Sequence, residues 1–156
     1  MAAASPSARL ATPRDAADAG RLLHDFNTEF DERTPGAEAL AERIGPMIAD
    51  GEATVLLAGE GPDGVAVLRF RRAIFEDGLY AYLEELYVAP RHRGEGLGRA
   101  LLEAAMQAAR ERGAVFIELG TSEDDVAARG LYESAGFTNR EGGTGGPVMF
   151  VYEREL

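Results

Sequence analysis

Apolar residues along the chain recur first with helical and then with strand spacing. Ala19, Leu22, Leu23, Phe26 and Phe30 fall three or four apart, which is one face of an amphipathic helix. Thr12-Pro13-Arg14-Asp15 supplies its start, with Thr12 as N-cap, Pro13 in the first turn and Asp15 closing a capping box. Residues 9–11 before it read as a short first strand. A second helix begins near Thr34-Pro35, turns Leu40, Ile44, Met47 and Ile48 inward, and stops at Asp50-Gly51. From Ala53 the period changes. Residues 53–58, 65–75 and 79–88, separated by a turn at 59–64 and a tight one at Glu76-Asp77-Gly78, predict an antiparallel meander. Helical spacing returns with Leu97, Leu101, Ala104, Ala105 and Ala108 and ends at Gly113. Residues 114–119 come next as a buried strand reached by a right-handed crossover. Ser122 then caps a last helix, with Asp125 closing its box and Ala128, Leu131, Tyr132 and Ala135 as its apolar stripe. Phe137 opens a short strand, and the glycine turn at 142–146 leads to a final strand at 148–152. The pattern predicts one α/β (α+β) domain over residues 7–156, a mixed sheet of about six to seven strands with about four helices. Residues 1–6 read as a disordered tip.

Composition narrows the chemistry. At 156 residues, 46% of them hydrophobic and 28% charged, the chain suits a globular domain with a real core. No apolar run reaches the length of a membrane helix, and the start lacks the basic and apolar regions of a secretion signal. No cysteine is present, so disulfides, thiolate metal sites and a cysteine nucleophile are out, and a cytoplasmic setting is expected. The net charge of −11 argues against nucleic acid as a partner and suits a cationic one. All 16 basic residues are arginine, so a Walker-type lysine and Schiff-base chemistry are absent as well.

Three of the arginines, Arg91, Arg93 and Arg99, flank a glycine run. An apolar strand ends at Val88, Ala89-Pro90 turns the chain, and Arg91-His92-Arg93-Gly94-Glu95-Gly96-Leu97-Gly98-Arg99 leads into a helix. A strand, a glycine bend and a helix N-terminus form a cradle for phosphate, because first-turn N–H groups and the helix dipole both favour an anion there.

This run resembles the acetyl-CoA site of the GNAT superfamily of N-acetyltransferases, whose pattern falls on Arg91, Gly94 and Gly96, with Gly98 as a frequent addition. A second motif, Ala128-x-x-Leu131-Tyr132-Glu133-x-x-Gly136-Phe137, is similar to the family's penultimate helix and the strand after it. Asp125 stands where many relatives carry asparagine. The resemblance implies a GNAT-type fold and an acetyl-CoA-dependent transferase that uses no metal. Amides from Arg91 to Arg99, including those of His92, Arg93, Gly94, Glu95, Gly96, Leu97 and Gly98, would hold the pyrophosphate. The cofactor arm would run beside Leu86, Tyr87 and Val88, where the third strand of the meander splays from its parallel neighbour. Glu84 would serve as base, since Tyr82-Leu83-Glu84-Glu85 also resembles spermidine/spermine N-acetyltransferases, and Tyr132 would protonate the departing thiolate. Glu85, with Glu29, Asp31 and Glu32 from the loop between the first helices, would meet the acceptor.

An alkyl amine is neutral about once in a few thousand molecules at pH 7, a cost of about 4–5 kcal/mol, whereas a thiolate leaves for about 2 kcal/mol. Loss of the base should therefore hurt more than loss of the tyrosine. With no thiol to carry the acetyl group, direct attack in a ternary complex is expected, on a small cationic amine such as a polyamine or an aminoglycoside-like compound. The alternatives are a protein N-terminus or lysine as acceptor, a non-catalytic acyl-CoA sensor, and a nucleotide-dependent phosphotransferase, against which the missing lysine counts. Family members often dimerise through late strands, and the apolar 148–152 permits a homodimer.

Overall fold

The computed structural model describes residues 5–156, so the first four residues of the expected disordered tip lie outside the described residues. The chain divides into two compact units, the first through Leu119 and the second Gly120–Leu156.

In the first unit five strands lie in the order β1 (Ala8–Leu10), β2 (Ala53–Ala58), β3 (Gly64–Arg72), β4 (Leu79–Val88) and β5 (Ala114–Glu118). The first four pair antiparallel; β5 joins β4 in parallel through the crossover helix α3 (Leu97–Glu111). Between β1 and β2 run α1 (Ala16–Glu29) and α2 (Ala37–Ala49). The chain enters α1 through the expected Thr12–Asp15 box: the Thr12 N–H donates to Asp15 Oδ2 at 2.8 Å. Arg9 adds a bidentate pair to the same carboxylate at 2.8 and 2.9 Å. That guanidinium first, and the Thr12 N–H second, hold the Asp15 carboxyl well below the usual carboxylate range.

Alternation along the strands sorts the core into two layers. Ala19, Leu22 and Ile44 from the helix pair cover Val55, Leu57, Val65, Val67 and Tyr87 on one face. Leu101, Leu102 and Ala105 of α3 are fully buried over β2, β3 and β4 on the other. Phe26 stacks on Tyr87 with ring centroids 5.0 Å apart. Phe30, read as part of the α1 apolar face, instead ends the helix and is half exposed beside Phe26. The predicted third strand overran as well. β3 stops at Arg72 because the Ala73 N–H closes a wide loop onto the Gly78 carbonyl, leaving Ile74 and Phe75 exposed.

The second unit holds α4 (Val126–Ser134). Its N-cap is Asp125 itself, whose carboxylate accepts the Ala128 N–H at 3.0 Å, so the helix starts three residues later than a Ser122 cap predicts. The two late strands expected from Phe137 and at 148–152 do not form. A single antiparallel bridge, Arg140 with Val148, stands in their place. Four glycines among residues 142–146 and the missing N–H of Pro147 interrupt the ladder, and a two-stranded pairing alone is marginal. Among the described residues the sheet therefore has five strands rather than six to seven, while the mixed α/β class and the four helices agree with the sequence. No helix among the described residues is long and apolar enough to cross a membrane.

The helix layer makes its tightest approach at Gly20. A Cβ there would lie 2.5 Å from the Ala37 carbonyl oxygen and 2.6 Å from the Ala41 nitrogen. Alanine at this site gains about 1 kcal/mol of helix propensity but forces two backbones apart, which typically costs about 1–3 kcal/mol or more. Gly20→Ala is expected to lose about 2 kcal/mol net in a urea titration; an unchanged midpoint would show that α1 and α2 part without strain.

Candidate active site

The site begins where β4 loses a neighbour. Its parallel pairing to β5 runs from Leu79↔Ala114 to Tyr82↔Glu118 and stops, while β4 continues to Val88. Over this second half β4 pairs with β3, and the Ala89 N–H turns to the same side to donate to the Asp63 carbonyl at 2.8 Å. Alternation then directs the Tyr87 backbone toward β3 and the backbone groups of Leu86 and Val88 away from it.

Past Val88 a turn at Pro90–His92 leads to Gly94 (φ 78°) and Gly96 (φ 88°). Both sit in the left-handed region, where a side chain would be strained. Gly96 is the N-cap of α3, and no side chain caps that helix. The first-turn amides of Leu97, Gly98 and Arg99 therefore face outward with the positive end of a 15-residue helix dipole behind them.

The basic side chains of the loop are held by acids. Arg91 is largely exposed and 3.5 Å from Asp63. His92 lies between Asp63 at 3.4 Å and Glu95 at 3.1 Å. Arg93 donates through Nε to the Val88 carbonyl at 2.9 Å, lies over the Tyr87 ring and pairs with Glu29 at the end of α1. Glu29 is thus brought onto the glycine loop, whereas Asp31 and Glu32 are exposed in the segment beyond it.

Glu84 and Glu85 occupy a β-bulge. Glu85 is registered against Val67 and Leu83 against Leu68, so Glu84 is the extra residue. Strict alternation predicts the two acids on opposite faces, but the bulge breaks it. Arg69, two residues beyond Val67 and so on the same face, reaches Glu84 at 3.3 Å and Glu52 at 2.8 Å. Glu85 is half-buried, and desolvation first, then the neighbouring Glu84 charge, push its carboxyl up to about 7. Tyr132, in the second unit, is buried on α4 with its ring 6.0 Å from that of Phe137. Among the described residues, no three or more His, Asp or Glu side chains are grouped to hold a metal ion.

Two residues of this arrangement escaped the sequence reading. Arg69 carried no signal beyond being a charge on a strand. Asp63 lay within an ordinary Gly-Pro-Asp-Gly turn.

Comparison with known proteins bears on the fold and the family. The profile described as the acetyltransferase (GNAT) family matches residues 19–137. Aminoglycoside N(6')-acetyltransferase type 1 of Stenotrophomonas maltophilia is 32% identical over 147 residues, 90% of this chain and 92% of that protein. Thialysine N-epsilon-acetyltransferase of Caenorhabditis elegans is 26% identical over 130 residues, covering 82% and 80%. A crystal structure from Arthrobacter sp. FB24, provisionally described as an acetyltransferase, superposes with a TM-score of 0.90 at 46% identity over 100% of this chain and 99% of that one. The chain belongs to the acetyltransferase (GNAT) family and is an acetyl-transferring enzyme.

Proposed function

We propose that the enzyme transfers acetyl from acetyl-CoA to a primary amine of a small cationic molecule, by direct attack while both substrates are bound. The observation that carries this reading is the divergence of β4 from β5 beyond Tyr82, directly ahead of the glycine loop and the uncapped start of α3. The outward amides of residues 97–99, with nothing within 4 Å of a Cβ at Gly94, fit a pyrophosphate; the outward backbone of Leu86 and the Val88 N–H fit an amide-bearing arm. Acetyl-CoA supplies the activated acetyl thioester. The two relatives are named for acetylating an aminoglycoside N(6') and a thialysine N-epsilon, which supports an amine acceptor. The net charge of −11, with Asp31 and Glu32 exposed on the loop after α1, favours a cationic one.

We assign the base to Glu85 rather than to Glu84. Glu84 is engaged by Arg69, whereas Glu85 is half-buried and raised to about 7, which narrows its mismatch with an alkylammonium by at most roughly 3 kcal/mol relative to an ordinary carboxyl. Glu85, directly or through a water, takes the proton of the bound ammonium. The freed nitrogen pair forms the N–C bond as the C–S bond breaks, the Tyr132 phenol gives its proton to the departing sulfur, and the nitrogen's second proton passes to solvent, from which the tyrosinate is reprotonated, leaving a neutral amide and a free thiol. The tyrosine's role rests on its motif; the base's rests on the geometry of the bulge.

The test is thiol release from acetyl-CoA across an amine panel. Glu85→Gln is expected to lower kcat about 10²–10⁴-fold, and Glu84→Gln less than about tenfold. Equal losses would remove the assignment to Glu85. Tyr132→Phe is expected to lose less than Glu85→Gln, because a thiolate leaves more easily than an amine loses its proton; a larger loss would reverse that ranking.

The raised carboxyl also fixes the pH behaviour. Below about pH 7 Glu85 is protonated and cannot accept, so kcat is expected to rise with pH through about 7 and to lose that limb in Glu85→Gln. Burial disfavours the ionised form, so this group destabilises the fold increasingly as pH climbs from the ordinary carboxyl range through about 7. Glu85→Gln should therefore be at least as stable as wild type at pH 8. A lower denaturation midpoint there would attribute its lost activity to folding instead.

A further inference from the structure

Among the described residues Asp63 is the one buried charged side chain, 7% exposed, and the transfer chemistry does not use it. It closes the turn between β2 and β3, and that turn is built around its carboxylate. A Cβ at Gly59 would stand 2.6 Å from Oδ2 and one at Gly61 2.5 Å from Oδ1, so glycine at both positions lets the backbone wrap this tightly. Oδ2 accepts the Gly61 N–H at 3.2 Å. Oδ1 is turned toward the glycine loop, 3.4 Å from His92 Nε2 and 3.5 Å from an Arg91 guanidinium nitrogen. The Asp63 carbonyl takes the Ala89 N–H at 2.8 Å, and His92 passes the connection to Glu95. One residue thus ties the turn at Pro90–His92 to the sheet through both backbone and side chain.

An anion beneath a loop that binds anions should weaken it, since like charges repel across such distances. The opposing effect is order. A loop whose amides already point outward gives up less freedom on binding than one that must first be assembled. We propose that Asp63 is a positioning residue for acetyl-CoA, holding Arg91 and His92 so that the Pro90–His92 turn presents the amides of residues 94–99, and that this outweighs its repulsion of the pyrophosphate. The inference rests on the acetyl-CoA reading above.

The two effects predict opposite signs for Asp63→Asn, which keeps the side-chain shape and an acceptor for Gly61 but removes the charge. Positioning predicts that the Kd for CoA, by titration calorimetry, rises about tenfold and the KM for acetyl-CoA with it, at nearly constant kcat and thermal midpoint. Unchanged or tighter CoA binding would overturn the proposal, and so would a loss confined to kcat and the thermal midpoint, the pattern of a merely structural role. His92→Ala, at a partly exposed site, should weaken CoA binding in the same direction. The double variant should bind no more weakly than the weaker single, because both changes cut one connection. Additive losses would overturn the route through His92, and if Asp63→Asn does not fold, undiminished CoA binding by His92→Ala overturns it alone. A wild-type protein that binds no CoA would refute the acetyl-CoA reading itself, whereas normal wild-type binding with an indifferent Asp63→Asn refutes only this inference.

Discussion

Parallel pairing between β4 and β5 ends at Tyr82, and the use made of the rest of β4 depends on that release. A strand in mid-sheet normally meets its hydrogen-bonding needs on both sides. From Leu83 to Val88 this one keeps β3 as its strand partner, with the Val88 carbonyl taking Arg93 Nε, so it offers a partly open second edge inside a folded domain. Exposed edges are usually blunted because they recruit other chains. Here the edge runs straight into a glycine bend and the N-terminus of α3, which no side chain caps, so outward strand groups and first-turn amides lie end to end. An extended ligand with amides along its length and phosphates at its tail matches that order of groups.

The electrostatics of the loop obey a related logic. In a chain of net charge −11, Arg91, His92 and Arg93 each stand against a carboxylate: Asp63 for the first two, Glu95 also for His92, and Glu29 for the third. A pair as exposed as Arg93–Glu29 is worth little, about a kcal/mol or less. A cation held this loosely by an acid remains available to another anion. Asp63 differs from the other acids in being buried and enclosed by its own turn, so the backbone around it fixes its position.

The bulge in β4 is the second device. By adding one residue it places two adjacent acids on the face that Arg69 shares, and their environments diverge. Glu84 pairs with Arg69, while Glu85 loses water and keeps its proton up to about pH 7. Burial first, and the adjacent Glu84 charge second, raise Glu85.

Much of this was legible in the chain. Hydrophobic period, caps and turn residues determined the meander, the crossover and all four helices to within a few residues, because those signals are local and each element satisfies its own backbone. The glycine–arginine run located the left-handed bend and the start of α3 for the same reason, since φ values and helix ends are properties of neighbouring residues. The last two strands were over-read: apolar runs at Phe137 and 148–152 look like strands, but a ladder needs donors and a partner, and the Gly142–Pro147 interruption removes them. What only the tertiary structure decided was every relation across the fold. It paired Glu29 with Arg93, 64 residues on, and Arg69 with Glu84, 15 residues on. It set the bulge that gives Glu84 and Glu85 different surroundings, and it turned an ordinary hairpin aspartate into the anchor of the loop. Burial and charge pairing come from residues far apart in the chain, so a carboxylate's acidity and its partner are written only in the fold.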